Sequence, residues 1–344
     1  MLHRQHPIGI KKGYAFLLLC FFLLAYIIPL GARDLAEPDE TRYAEIPREM
    51  IAGGDWIVPH LNGVRYFEKP VLGYWLHAAS ILLFGENNFA VRLPSAMSAG
   101  ISALLIFLLV NKTSREGKDG EGFPAFLAVL VYLSCLEVFA LGNFALLDSL
   151  FSLFLTSSII FFYFASEAAP RTARETGYLL LSGVACGLSF LTKGFLAFAV
   201  PALALGPYLV WERRYSDLLR MSWLPILSAV LVALPWSMAI HLREPDFWRF
   251  FIWNEHIRRF VADNSQHRES FWFFFMAAPG LFFPWAFLAP AAVLGIKGRL
   301  NEQAPRGRLV RLSICWLVLP FLFFSFSNGK LLTYVLPCFP PFAG

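Results

Sequence analysis

An all-α, polytopic transmembrane helical bundle is the fold class this sequence predicts, on three observations. Hydrophobic residues make up 57% of the 344 and charged residues only 15%. Several apolar runs reach the roughly 20 residues that a helix needs to cross a bilayer. Basic residues recur in alternate loops, the pattern of a chain threaded back and forth with its positive loops on one side. A β-barrel would alternate polarity in short segments, and no such alternation is present. The net charge of +5 reports loop orientation rather than a nucleic-acid partner. Cys20, Cys135, Cys186, Cys315 and Cys338 all lie in apolar runs at no metal or redox spacing, so they read as small buried residues.

The elements follow in order. Arg4, Lys11 and Lys12 place the N-terminus in the cytoplasm, and the first span covers 14–31. Its apolar core is long and no small-residue cleavage site clearly follows, so it reads as a retained helix. Residues 32–91 then form a first external loop. Within it, "VLGYWLHAASILLF" (71–84) is short for a crossing and reads as interfacial or re-entrant. Charge supports that reading. With 71–84 on the outer surface, the loops bearing Lys112/Arg115/Lys118, Arg171/Arg174, Arg213/Arg214/Arg220 and Lys297/Arg299/Arg306/Arg308/Arg311 all fall inside. The further spans are 92–110, 123–142, 149–166, 178–192, 195–211, 222–241, 271–295, 312–327 and 331–344, with Pro279 and Pro284 bending the long one. The second large external loop is 242–270. The chain stops inside an apolar run without a polar tail, which reads as a truncated chain.

On this topology, charges that flank the spans gather on one face. Asp39 and Glu40 open an amphipathic stretch after Pro38, "FEKP" carries Glu68 and Lys69, and Arg92 lies in "RLPS". Asp148 lies in "ALLDSL", Lys193 in "LTKG", His256, Arg258 and Arg259 in "NEHIRRF", and Lys330 and Tyr334 in "SNGKLLTY". Charges near the membrane are costly and by default mark a polar cavity. Lys69, Arg258, Arg259 and Lys330 suit a phosphate, Arg as a bidentate fork and Lys as a point charge. Asp39, with Glu40 and Asp148 as further catalytic candidates, suits a nucleophile to be oriented or a sugar cation to be stabilised. Glu68, Arg92, Lys193 and His256 would support them. A phosphate-bearing lipid would meet both signs of charge at the outer leaflet.

Plainer roles compete for each residue. Asp39 and Glu40 would also serve as first-turn acids on a helix dipole, Asp148 as an N-cap, and Lys193 as a residue reaching to the interface. Arg258 and Arg259 would serve as headgroup anchors. Glu68 with His256 is too small a set to commit to a metal, and Lys and Arg alone suffice for a phosphate. No cofactor is required on this reading.

The blocks from "EPDETRYAEIPREM" to "FEKPVLGYWL", with "RLPS", "ALLDSL", "LTKG", "NEHIRRF" and "GKLLTY", resemble the lipid A aminoarabinose transferases. These are membrane glycosyltransferases of the GT-C type, related to protein O-mannosyltransferases. The resemblance runs from about residue 14 to the end. It implies transfer of a sugar, 4-amino-4-deoxy-L-arabinose in that family, from a polyprenyl-phosphate donor. The acceptor would be lipid A or a related glycolipid or protein, at the periplasmic face of the bacterial inner membrane. It matches Asp39 to the acid of the first external loop and Asp148 to the acid that opens the fourth span. It matches Lys69, one of Arg258 and Arg259, Lys330 and Tyr334 to the donor-phosphate ligands. Leu332 stands where the family often has Pro. The family also continues into further spans and a C-terminal external domain, so residues 1–344 are read as the transmembrane catalytic domain alone. A lipid-linked-sugar transporter is the competing class, but it would place charges at the midplane and show repeat symmetry. An inactive truncated paralogue is the third reading.

Overall fold

A computed structural model of the chain describes residues 12–114, 122–258 and 268–344. Arg4, Lys11, Arg115, Lys118 and Arg259 lie outside the described residues. The first span is α1 (Lys12–Phe22), continued through a π turn and a 3-10 turn to Gly31. Then α2 (Asp39–Gly53) opens on two acids and closes on Gly54, whose φ of +69° is the left-handed conformation that ends a helix. A two-residue hairpin follows, β1 (His60–Leu61) against β2 (Val64–Arg65). Asn62 and Gly63 both take positive φ in its turn, as a type I′ turn requires. α3 (Leu72–Phe84) has 13 residues, too few to cross a bilayer unaided. It packs on α2 and on α4 (Asn88–Ser114).

Among the described residues, five helices are long and apolar enough to span, or seven if each of two bent pairs is one span. The stretch 123–142, expected as one span, breaks at Cys135 into α5 (Phe123–Ser134) and α6 (Leu136–Gly142), bent by 67°. The stretch 271–295 also divides, into Phe273–Leu281 and Trp285–Arg299, bent by 102°. The two breaks satisfy each other. The Leu136 N–H freed at the first donates to the Phe283 carbonyl at the second, at 2.9 Å. Trp285 Nε1 donates to Ser134 Oγ at 2.8 Å. Irregular backbone at membrane depth is tolerable only with such partners.

α7 (Leu147–Ser166) is the most buried of the five, with α8 (Ala173–Lys193) against it; α9 (Leu196–Trp211) packs on the helix Pro305–Phe326, and after the short α10 (Tyr215–Arg220) α11 (Trp223–Arg243) lies against the other side of α8. α8 and Pro305–Phe326 are both longer than the short spans expected at 178–192 and 312–327. Small residues let α8 meet α11 closely. A Cβ on Gly183 would collide with the Pro225 carbonyl, and one on Gly187 would lie 2.7 Å from the Ala229 carbonyl.

The ion pairs named here fall into two sets, one at each end of the long helices, which the sequence reading expects to be the external and the internal side. One joins external loops: Arg33 and Arg92 to Glu40, Lys69 to Glu255, Arg243 to Asp55, Arg65 to Glu244, and Lys193 to Asp148. The other joins internal loops: Arg308 to Glu167, Arg220 to Glu175, Arg214 to Asp217, and Arg311 to Glu212. Cysteines placed at Val64 and Gln303, both exposed, are therefore expected to react with a membrane-impermeant maleimide from opposite sides of a sealed vesicle. Labelling of both from one side would overturn this threading.

Candidate functional site

The external set is organised by Glu40. Its side chain is fully buried, as is that of Arg92. Arg92 Nε and Nη2 donate to the two Glu40 oxygens at 2.7 and 2.8 Å, and Arg33 adds bonds of 2.6 and 3.2 Å. The backbone N–H groups of Ala36 and Ala145 donate to the same carboxylate, each at 2.9 Å. The remaining Arg92 donors reach the carbonyls of Leu30, Arg33 and Asp34. The end of the first span, α2, α4 and the loop before α7 thus meet at one ion pair. Burial pushes the Glu40 carboxyl up, but the bonds from Arg92, Arg33, Ala36 and Ala145 outweigh it and hold its pKa at about 2. Glu40, grouped in the sequence with the catalytic candidates, has its lone pairs committed to this brace. Asp39, one residue earlier, is 61% exposed, with Arg42 at 3.9 Å.

Beyond the brace, α2 and the loop after the hairpin present a row of polar rings. Arg42 donates to the Tyr66 hydroxyl at 3.4 Å. Burial first, and then the Glu68 carboxylate, raise the Tyr66 pKa. Tyr43 is buried between Tyr74 and His77, at ring distances of 6.1 and 6.4 Å, and lies within electrostatic reach of Asp148. Lys69 Nζ donates to the Glu255 carboxylate and to the Glu68 carbonyl, both at 2.9 Å.

Asp148 does not act as an N-cap. It sits in the first turn of α7, and its carboxylate accepts from Lys193 Nζ at 2.6 Å. Lys193 ends α8 because Gly194 takes φ +92°, and it lies 5.5 Å from the centre of the Tyr334 ring. Asp148, Lys193 and Tyr334, far apart in sequence, are therefore neighbours. Lys330 is buried and donates to the carbonyls of Ser327 and Glu269 at 2.5 and 2.8 Å. Burial lowers its pKa, while Glu269 raises it. Arg258 is exposed at the end of a π-helical stretch, Phe250–Arg258. The His256 side chain and all of Arg259 lie outside the described residues. Among the described residues no three His, Cys, Asp or Glu side chains gather where a metal ion could bind. A surface hollow of about 490 Å³ is lined by Glu49, Met50, Asp55 and His60, none of them a predicted site residue.

Several participants escaped the sequence reading. Glu255 stands in the "NEHIRRF" block beside residues that were singled out. Arg33 shares the brace. Glu137 is an acid inside an apolar run, the signal that drew attention to the other charges. It is 6% exposed and lies within electrostatic reach of Asp148.

The family model for dolichyl-phosphate-mannose-protein mannosyltransferase matches residues 13–251. An undecaprenyl phosphate-alpha-4-amino-4-deoxy-L-arabinose arabinosyl transferase of Aeromonas salmonicida is 49% identical over 94% of this chain and 57% of its own length. A protein of the same name from Serratia proteamaculans is 47% identical over 97% of this chain and 59% of its own. The crystal structure of ArnT from Cupriavidus metallidurans bound to undecaprenyl phosphate matches with a TM-score of 0.86 at 27% identity, covering 97% of this chain and 59% of that one. The archaeal oligosaccharyltransferase AglB from Archaeoglobus fulgidus shares the fold, with a TM-score of 0.56 at 14% identity over 97% and 50%. The expected all-α, multi-pass GT-C architecture is thereby borne out. The chain spans less than three-fifths of the length of these curated relatives.

Replacing Glu40 by Gln is expected to cost about 3–5 kcal/mol, because Arg92 stays buried without its full counter-charge. Thermal unfolding in detergent should show a large fall in Tm for Glu40→Gln and a small one for Asp39→Asn. Equal falls would remove the brace. The carboxyl is depressed from its ordinary 4.5 to about 2, so its contribution is complete above about pH 4.5 and lost as pH falls toward 2.

Proposed function

Because the chain belongs to the dolichyl-phosphate-mannose-protein mannosyltransferase family, we propose that it transfers 4-amino-4-deoxy-L-arabinose from undecaprenyl phosphate to lipid A. The donor is the one in the names of its curated relatives, and lipid A is the acceptor implied by the resemblance. The reaction takes place at the periplasmic face of the bacterial inner membrane, with the N-terminus in the cytoplasm and α3 lying along the reacting face. What supports the proposal is the chain of contacts that leads from Asp39 to Arg42 and Tyr66, and from Tyr43 on the same helix toward Glu68 and toward Asp148, itself bonded to Lys193 beside Tyr334.

The chemistry assigns the roles. An acceptor phosphate oxygen bonds to the anomeric carbon as the bond from that carbon to the donor phosphate breaks. The departing phosphodiester becomes a monoester and gains negative charge. Lys69, with Arg258 or Arg259, Lys330 and the Tyr334 hydroxyl, stabilises that charge. Lys69 is held ready by Glu255, so a donor phosphate shares or displaces an existing partner. An acceptor phosphate is ionised near neutral pH and needs no base. Asp39 therefore orients it or stabilises positive character on the ring; for a hydroxyl acceptor Asp39 would act as the base. Glu40 and Arg92 hold α2 so that Asp39 points outward. Asp148 fixes Lys193. Glu68 acts through Tyr66 and Arg42. No metal is assigned a role.

Two variants test these roles. Lys69→Ala should weaken binding of undecaprenyl-phosphate aminoarabinose by roughly 10- to 100-fold, the worth of one charged hydrogen bond. Asp39→Asn should bind the donor and unfold like the parent chain, yet lose about 10²–10⁴ in transfer to lipid A followed by mass spectrometry. Donor binding unaffected by Lys69→Ala, or full transfer by Asp39→Asn, would refute the assignment.

A further inference from the structure

Glu137 opens α6, two residues beyond the break at Cys135. Its Oε1 is buried and accepts no hydrogen bond. A buried carboxylate oxygen without a donor is expensive, and a charged one more so. Ser149 Oγ donates to the Leu141 carbonyl at 2.9 Å and ties α6 to the first turn of α7, where Asp148 accepts from Lys193, so a single lysine serves a corner that holds two acids. The group is not sealed, because the Asp148 and Lys193 side chains keep 11% and 12% of their surface. Asp148 is also within electrostatic reach of Tyr43 on α2, which links this corner to the rest of the site.

What would complete such a corner is a compact cation with several N–H donors. A hydroxyl would satisfy the oxygen; an ammonium does so as well and, unlike the hydroxyl, favours the ionised carboxylate as it binds. Resting on the donor named above, we propose that Glu137, with Asp148, recognises the cationic amino group of the donor sugar and sets the preference for an amino sugar over its hydroxyl counterpart. Glu137 is here a specificity-determining residue. The leaving phosphate and the attacking oxygen are handled elsewhere, by Lys69 and its neighbours.

The test is binding of two donors to the full chain in detergent near pH 7. One is undecaprenyl-phosphate 4-amino-4-deoxyarabinose, and the other carries a hydroxyl in place of the amine. The parent chain is expected to prefer the amino donor at least tenfold. Glu137→Gln should lose most of that preference by weakening only the amino donor, with the hydroxyl donor bound as before. Glu137→Asp, which keeps the charge, should retain part of it. Equal weakening of both donors by Glu137→Gln would make Glu137 a packing residue and overturn the proposal, as would a preference that survives the change. If the parent binds both donors equally, amine recognition fails and the donor assignment stands. If it binds neither, the donor assignment fails and takes this proposal with it.

Discussion

The Glu40–Arg92 pair is the constraint on which the external face depends. It uses all five guanidinium donors and both carboxylate oxygens, without help from solvent. Desolvating two charges is repaid only when every remaining donor and acceptor is satisfied, and here it is. The reward is positional. The first span, α2, α4 and the loop before α7 are secured to one point, so the acid at the head of α2 and the acid at the head of α7 keep a fixed relation.

From that fixed frame the site takes its electrical character. Three of its cations are engaged within the chain: Lys69 by Glu255, Lys193 by Asp148, and Lys330 by two carbonyls. Such pairing lowers the conformational freedom a ligand must freeze on binding, at the cost of competition with the resident partner. The arrangement suits a membrane protein whose charged side chains would otherwise face a medium that cannot solvate them.

Most of the architecture was legible in the sequence, because span length and loop charge are local properties. Keeping 71–84 out of the count of spans placed the basic loops at one end of the bundle, and the 13 residues of α3 are indeed too few to cross unaided. The breaks at Cys135 and near Pro284 were not legible as sharp bends. Pro284 announced a bend, but Cys135 carries no such mark, and its bend is held by a carbonyl from the other break. Adjacent acids were also beyond composition: Asp39 and Glu40 read alike, yet one faces water and the other is wholly buried. Glu137 was readable by the same reasoning that picked out Asp148, whereas the Lys69–Glu255 contact, across 186 positions, depends on how the loops fold together.

The Asp148–Lys193 contact lies at the outer ends of two long helices packed side by side, α7 and α8. Loops can absorb a shift in length, but helices of this kind transmit it. One residue added within α8 would advance its end by about 1.5 Å and swing Lys193 by roughly 100° around the axis, while Gly183 and Gly187 keep the rest locked against α11. The pair therefore acts as a gauge of helical phase: it closes at 2.6 Å when α7 and α8 are in register, so an insertion deep in the apolar core of either helix is felt at this distant end.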